Sequence, residues 1–330
     1  MLVMTSASTP PPPIPPGATL ADLGEFGMLD ALLPRLTQGA DVLVGPGDDA
    51  AQVDVDGTPV LFATDVLVDA RHFRRDWCSA ADIGHRAAAQ SLSDLNAMGG
   101  RATAVTVGVA APADLDAGWL LDLTLGVVEE CALVEASVVG GDLTRSDVLV
   151  LSVTAVGRCD GPPALRSGAR PGEVVAITGR SGWAAAGLAV LGRGFRSPRV
   201  VVEAYRRPSV PYGAGAHALA AGATSLVDVS DGLLADVGHV ARASGVVIDV
   251  SSAAFVVDEP LQAVGAALGV DPLSFVLTGG DDHPLVGTFP DAAAVPDGWT
   301  VIGSVVGASD GSAVTVDGAA YDGDPGFRHF

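Results

Sequence analysis

Acidic residues recur beside glycine, or at the ends of apolar runs, in six places. They are Asp48-Asp49 in VGPGDDAA, Asp65 in ATD, Asp94 in LSDL, Asp142 in GGD, Asp228 and Asp231 in VDVSDG, and Asp281-Asp282 in GGDD. Taken singly, each suits a turn or cap, since aspartate next to glycine is common there. Two features point beyond turns. At about 100° per residue, Asp94 falls between Ile83 and Ala87 on a helical wheel, so it lies on a packed stripe. A carboxylate there is costly unless a cation or several donors meet it. The clusters also sit where strands end, the usual place for a site. Hard oxygen ligands of this kind suit Mg²⁺, which bridges to phosphate oxygens. Gly140-Gly141 and Gly279-Gly280 are expected to let backbone N–H groups approach a phosphate.

The elements that must carry these residues emerge from the apolar pattern. Helical spacing covers about 20–36, 79–98 (stopped by Gly99-Gly100), 183–191 and 233–244, with a further helix capped by Asp114 and reaching about Leu133. Strand-like runs cover 52–55, 59–68, 102–109, 137–140, 148–156, 173–178, 225–229, 246–250, 285–288 and 300–306. Gly161-Pro162-Pro163 and the Arg166–Gly172 stretch mark a boundary. The expected fold is mixed α/β (α+β) in two domains, 19–160 and 161–330, after a disordered Pro-rich leader at 1–18.

Composition excludes several classes. The chain has 330 residues, 48% hydrophobic and 17% charged, and a formal charge of −21. That supports a sizeable core and argues against nucleic-acid binding, which needs clustered positive charge. All 18 basic residues are arginine. Without lysine there is no P-loop signature, no strand lysine of protein kinases and no Schiff base. No apolar run reaches membrane-spanning length, and the N-terminus lacks the basic start and apolar centre of a signal peptide. Cys78, Cys131 and Cys159 are far apart and form no CxxC, as expected of reduced thiols in the cytoplasm. The four tryptophans and the helix residues His85 and His239 are read as structural. A G-x-G-x-x-A match at Gly213 comes after prolines rather than a strand and carries no dinucleotide reading.

Seven stretches in order, GPGDDAA, ATDVLVDARHF, SLSDLNAMGG, GGDLTRSD, RSGARPGE, DVSDGLLADVGHVARASG and LTGGDDHPL, together resemble thiamine-monophosphate kinase. That family sits in the superfamily of aminoimidazole ribonucleotide synthetase, selenophosphate synthetase and the hydrogenase maturation factor. The resemblance runs from about Leu23 to Phe330. It implies ATP-dependent conversion of thiamine monophosphate to thiamine diphosphate, several Mg²⁺ ions, and a homodimer pairing through the N-terminal domains. Carried over by position, it implies metal ligands at Asp49, Thr64, Asp65, Asp94, Asp142, Asp228 and Asp231, with Asp49, Asp94 and Asp231 as catalytic candidates. It implies nucleotide contacts at Gly141, Asp142, Arg166 and Ser230, and substrate contacts at His72, Asp281 and Phe327.

The chain departs from the family pattern at three places. Ala63 stands where serine is frequent, Asp281 where glutamate is usual, and His283-Pro284 where Tyr-Glu is usual. Among sister activities, the hydrogenase maturation factor needs a C-terminal cysteine, whereas this chain ends Arg328-His329-Phe330. Selenophosphate synthetase needs a reactive Cys or selenocysteine with a lysine. An aminoimidazole ribonucleotide synthetase-like enzyme, or a non-catalytic module binding divalent metal, stays open at this point.

Overall fold

The computed structural model describes residues 19–36, 38–308 and 313–328. The expected leader at 1–18 lies outside them. The first half holds helices α1 (Leu20–Leu32), α2 (Ala80–Ala97) and α3 (Ala117–Ala132). Its strands are β1 (Val42–Val44), β2 (Ala51–Val55), β3 (Thr58–Val68), β4 (Arg101–Ala111), β5 (Ser137–Arg145) and β6 (Val150–Arg158). They form one sheet in the order β1-β2-β3-β6-β4-β5, with only β4 and β5 parallel.

Alternation decides what each strand face meets. On β3, Leu61, Ala63 and Leu67 are buried, whereas Phe62, Thr64 and Val66 are exposed. The buried row packs with Val105, Leu151 and Val153 against Ile83, Leu92 and Leu95 of α2 and Leu123 and Val127 of α3. Each such side chain contributes about 1.5–3 kcal/mol relative to exposure. The two helices approach closely because they meet at glycines. A Cβ on Gly84 would lie 2.0 Å from the Leu123 carbonyl oxygen, and one on Gly126 2.2 Å from that of Ala81. The opposite sheet face carries no helix among the described residues.

Helix α2 begins where expected. Ser79 caps it, with a capping box to Asp82, and Met98 closes it before Gly99 at φ 73°. The expected cap of α3 is corrected. Asp116, not Asp114, accepts from the Trp119 N–H at 2.7 Å. Residues 112–115 close their own turn first, Leu115 N–H donating to the Pro112 carbonyl at 3.1 Å.

The second half holds β7 (Val174–Thr178), α4 (Trp183–Gly192), α5 (Arg199–Arg206), α6 (Ala214–Ala220), β8 (Ser225–Asp228), α7 (Leu233–Ser244) and β9 (Val246–Val250). It continues with α8 (Glu259–Leu268), α9 (Pro272–Thr278), β10 (Leu285–Phe289), β11 (Thr300–Ala308), β12 (Ala313–Val316) and β13 (Ala319–Ala320). The sheet order is β13-β12-β9-β11-β7-β10-β8, antiparallel except for β12 beside β9. Leu233, Leu234 and Val237 of α7 cover Val227, Ile248 and Val286.

Helices α5, α6, α8 and α9 have no counterpart in the apolar pattern. Proline is the reason for two of them. Pro260 and Pro272 stand in first turns, where a missing N–H costs nothing, yet in sequence they read as breakers. The expected strands at 137–140 and 148–156 extend to Arg145 and Arg158.

A buried polar network ties the halves together. His85 on α2 lies 2.8 Å from Glu130 and 3.0 Å from Glu129 on α3, and Tyr212 O–H donates to Glu130 at 2.6 Å. The bond to Glu130 raises the His85 pKa above its usual 6.5, against the opposing effect of burial. The raised value means that the folded protein binds the proton more tightly than the unfolded chain. The stabilisation is full below about pH 6.5 and fades as pH rises through the folded value. His85→Gln should therefore melt lower than the parent by about 2–4 °C at pH 5.5, and by less at pH 9. Calorimetry at both pH values checks this, and an equal gap at both would refute it.

Candidate active site

The site forms where the two sheets' ends and α2 converge. The stretch after β1 brings Asp48 and Asp49, β3 brings Asp65, α2 brings Asp94, and β8 ends at Asp228. One carboxylate oxygen from each of Asp49, Asp94 and Asp228 lies within 4.8 Å of the others. Asp65 joins them from the inward face of β3. It accepts from Ser91 O–H at 2.6 Å, and the charges of Asp65 and Asp228 bear on Asp94.

Electrostatics explain what the arrangement requires. Burial, then neighbouring carboxylates, pushes Asp94 well above the ordinary range. Burial likewise pushes Asp49 up to about 7, against the opposing pull of Arg166. Asp65 and Asp48 are raised mainly by burial. Arg166 Nη2 donates to Asp49 Oδ1 at 2.5 Å, and its backbone N–H to Asp48 Oδ1 at 2.7 Å. Asp49 Oδ2 stays buried with no hydrogen-bond partner. A buried carboxylate oxygen without a partner, on an aspartate grouped with two further carboxylates, fits a hard divalent cation, and no softer metal is indicated by an all-oxygen donor set.

The adjoining cavity has a volume of about 460 Å³. His72, Asp94, Asp228, Asp231, Asp281 and Phe327 line it, joined by Arg71 and Gln90. His72 is held by its Nδ1, which accepts from the Val68 N–H at 2.9 Å. Asp281 accepts from Arg86 Nη2 at 3.0 Å. Burial would raise Asp281, but the Arg86 guanidinium outweighs it and leaves the carboxyl below its ordinary value. Arg86 also donates to the carbonyls of Tyr205 and His72. A second cavity of about 600 Å³ lies between α1, α7 and the C-terminal segment, with Phe26, His239, Arg242 and Tyr321 in its wall. The two cavities share Asp231, Gly326 and Phe327.

Most of the expected residues thus meet. Asp49, Asp65, Asp94, Asp228, Ser230, Asp231, Arg166, His72, Asp281 and Phe327 all lie at the carboxylate cluster or the cavity beside it. Thr64, Gly141 and Asp142 do not. Thr64 Oγ1 bonds to Thr154 at 2.9 Å on the outer sheet face. Asp142 pairs with Gly108 on edge strand β5, exposed, and lines neither cavity.

Gly141 and Gly280 are required by close backbone packing, and Gly279 and Gly280 also line the first cavity. A Cβ on Gly141 would lie 1.9 Å from the Val107 carbonyl oxygen, and one on Gly280 2.0 Å from that of Ser230.

Several supporting residues are not singled out in sequence, although Ser91 and Asp236 lie within the quoted motifs. Asp236 Oδ2 accepts from the N–H groups of Asp231 and Gly232 at 3.1 and 3.0 Å. Ser91 and Arg86 hold Asp65 and Asp281. The available signal was a polar or charged residue on the buried stripe of α2.

The fold agrees with comparisons to known proteins. Residues 47–159 match the family described as AIR synthase related protein, N-terminal domain. The chain is 46% identical over 315 residues to thiamine-monophosphate kinase of Mycobacterium tuberculosis, covering 94% of this chain and 93% of that protein. It is 37% identical over 325 residues to that of Corynebacterium glutamicum, covering 95% and 96%. A solved structure of AaThiL complexed with AMPPCP and TMP superimposes with a TM-score of 0.84 at 30% identity, covering 95% and 99%. Thiamine monophosphate kinase from Aquifex aeolicus gives a TM-score of 0.80 at 28% identity, covering 93% and 100%. The chain belongs to the thiamine-monophosphate kinase family.

Crowded buried carboxylates destabilise the protein without a cation, as functional groups often do. In chelator, Asp94→Asn should raise the melting temperature by about 2 °C or more. Scanning fluorimetry with EDTA would show this, and a lower melting temperature would contradict it.

Proposed function

We propose that this protein transfers the γ-phosphoryl group of ATP to thiamine monophosphate, yielding thiamine diphosphate. The observation that carries the reading is the Asp49–Asp94–Asp228 cluster beside a cavity whose wall includes His72, Asp281 and Phe327. The relatives named thiamine-monophosphate kinase, and the related chain with AMPPCP and TMP, support it.

The acceptor needs no strong base, because a phosphate monoester is already ionised near neutrality. The difficulty is repulsion between two polyanions, and the remedy is charge and positioning. Asp49, Asp94 and Asp228, with Asp65 and Asp231 close by, would hold Mg²⁺. Such ions supply positive charge between donor and acceptor phosphates. Asp281 and His72 shape the acceptor cavity, and Phe327 borders it. The neighbouring cavity takes the nucleotide, with Phe26, His239 and Tyr321 in its wall beside the base, and with Ser230 in the wall of the first cavity and Arg166 at Asp49 near the phosphates. Arg166 is the planar phosphate contact of this scheme. The two cavities meet at Asp231, so phosphate groups from either side come together beside the carboxylates.

The division at 19–160 and 161–330 has the same logic. The first part supplies most of the metal ligands, and the second completes the nucleotide and acceptor sites. The uncovered face of the first sheet suits pairing with a second copy. Val55, Phe62 and Val66 are exposed there at 52%, 37% and 52%. Thr64 and Asp142 share that face, so a homodimer would give both a partner surface. Among the described residues no single helix is long and apolar enough to cross a membrane. The three free cysteines suit a reducing cytoplasm.

ADP release that depends on thiamine monophosphate tests the reaction. Asp49→Ala and Asp94→Ala should each lower turnover by at least about 10²-fold. Near-normal turnover of both variants at saturating Mg²⁺ would count against these assignments. Sedimentation tests the pairing: the parent should run as a dimer and Phe62→Asp as a monomer. A monomeric parent would sink it.

A further inference from the structure

The connection from α9 to β10 carries Gly279-Gly280-Asp281-Asp282-His283-Pro284. Two of its residues adopt left-handed backbone, Asp281 at φ 67° and His283 at φ 53°. Such conformations persist only where the surroundings over-determine them. Here three successive side chains are held by three different elements. Asp281 accepts from Arg86 of α2 at 3.0 Å. Asp282 accepts from the Ala184 N–H at the start of α4 at 3.0 and 3.1 Å. His283 Nδ1 lies 3.1 Å from Asp228 Oδ2, with the imidazole only 2% exposed. The backbone is tied as well: Asp281 N–H donates to the Ser230 carbonyl and Val229 N–H to that of Pro284, both at 2.9 Å.

His283 is therefore a fixed donor aimed at one member of the carboxylate cluster. An ionised carboxylate only accepts, so Nδ1 carries the hydrogen in this contact. A carboxylate held through one oxygen has its plane set, and with it the direction of the other oxygen. Outer partners of this kind orient metal ligands and tune affinity. The same short backbone also places Asp281 in the acceptor cavity. Cation site and acceptor wall thus share one support.

We propose that His283 is a positioning residue for the divalent-cation site, acting by orienting Asp228. The inference rests on the reading that the cluster holds a divalent cation.

Mn²⁺ is the probe, titrated into the full chain without nucleotide or thiamine monophosphate and monitored by the electron paramagnetic resonance of the free ion. The relevant site is the binding that Asp228→Asn removes. His283→Gly tolerates the positive φ but offers no donor, whereas His283→Asn tolerates it and keeps a side-chain N–H. His283→Gly should weaken that site by about 10–100-fold, and His283→Asn should recover most of the loss. Turnover of His283→Gly should return as Mg²⁺ is raised, marking a shift in metal dependence rather than a lost reacting group.

Unchanged Mn²⁺ affinity in His283→Gly overturns the proposal, as does the absence of any Asp228-dependent Mn²⁺ site in the parent. If the glycine variant does not fold, the asparagine variant decides: affinity as weak as that of Asp228→Asn overturns the proposal, and near-parental affinity supports it. The kinase reading fails separately. Parental Mn²⁺ binding without acceptor-dependent ADP release sinks that reading and leaves the role of His283 standing.

Discussion

Four carboxylates, those of Asp49, Asp65, Asp94 and Asp228, are gathered where water is scarce, and the single guanidinium of Arg166 touches only one of them directly. Desolvation and mutual repulsion raise the pKa values of Asp49, Asp65 and Asp94. A fold selected for stability alone would not make such a cluster, because buried like charges are among the costliest arrangements available. The cost becomes intelligible when the charge belongs to a working complex in which cations and phosphates complete the balance. Much of the surrounding structure keeps these side chains from moving apart.

That restraint is built from ordinary packing. Helix α2 lies against the first sheet through small and aliphatic side chains and against α3 through glycines, which leaves little freedom to rotate Asp94 away. Ser91, one turn earlier, bonds to both Asp65 and the Val153 carbonyl, pinning β3 and β6 to the same helix. In the second half, Asp236 gathers the N–H groups of Asp231 and Gly232 and shapes the turn after β8. The strained connection through Asp281 and His283 then reaches back to α2 and β8. Support residues outnumber the cluster they serve, as preorganised electrostatic sites require.

Much of the fold and site is legible in the residues themselves. The pattern of apolar runs locates α2, α4, α7 and most of the central strands, because long periodic segments dominate their local environment. Asp94 stands out through its wheel position alone. Less legible are short helices opening with proline, where the same residue serves as breaker or first-turn residue depending on the residues C-terminal to it. Ser91, Arg86, Asp236 and His283 are also hidden as partners, since each acts across separations that sequence spacing does not reveal. Arg86 and Asp281, for example, are 195 residues apart.

The sequence by itself determined the chemical repertoire: oxygen ligands in excess, arginine as the only strong cation, no lysine, no paired cysteines and no apolar span. These are matters of residue type, which folding cannot change. Only the tertiary structure decided which carboxylates meet and which face away. Thr64 and Asp65 are neighbours in sequence, yet the two-residue period of a strand sends one to the outer sheet face and the other to the cluster. Convergence depends on the packing of α2 between the two halves, and that is a property of the whole chain.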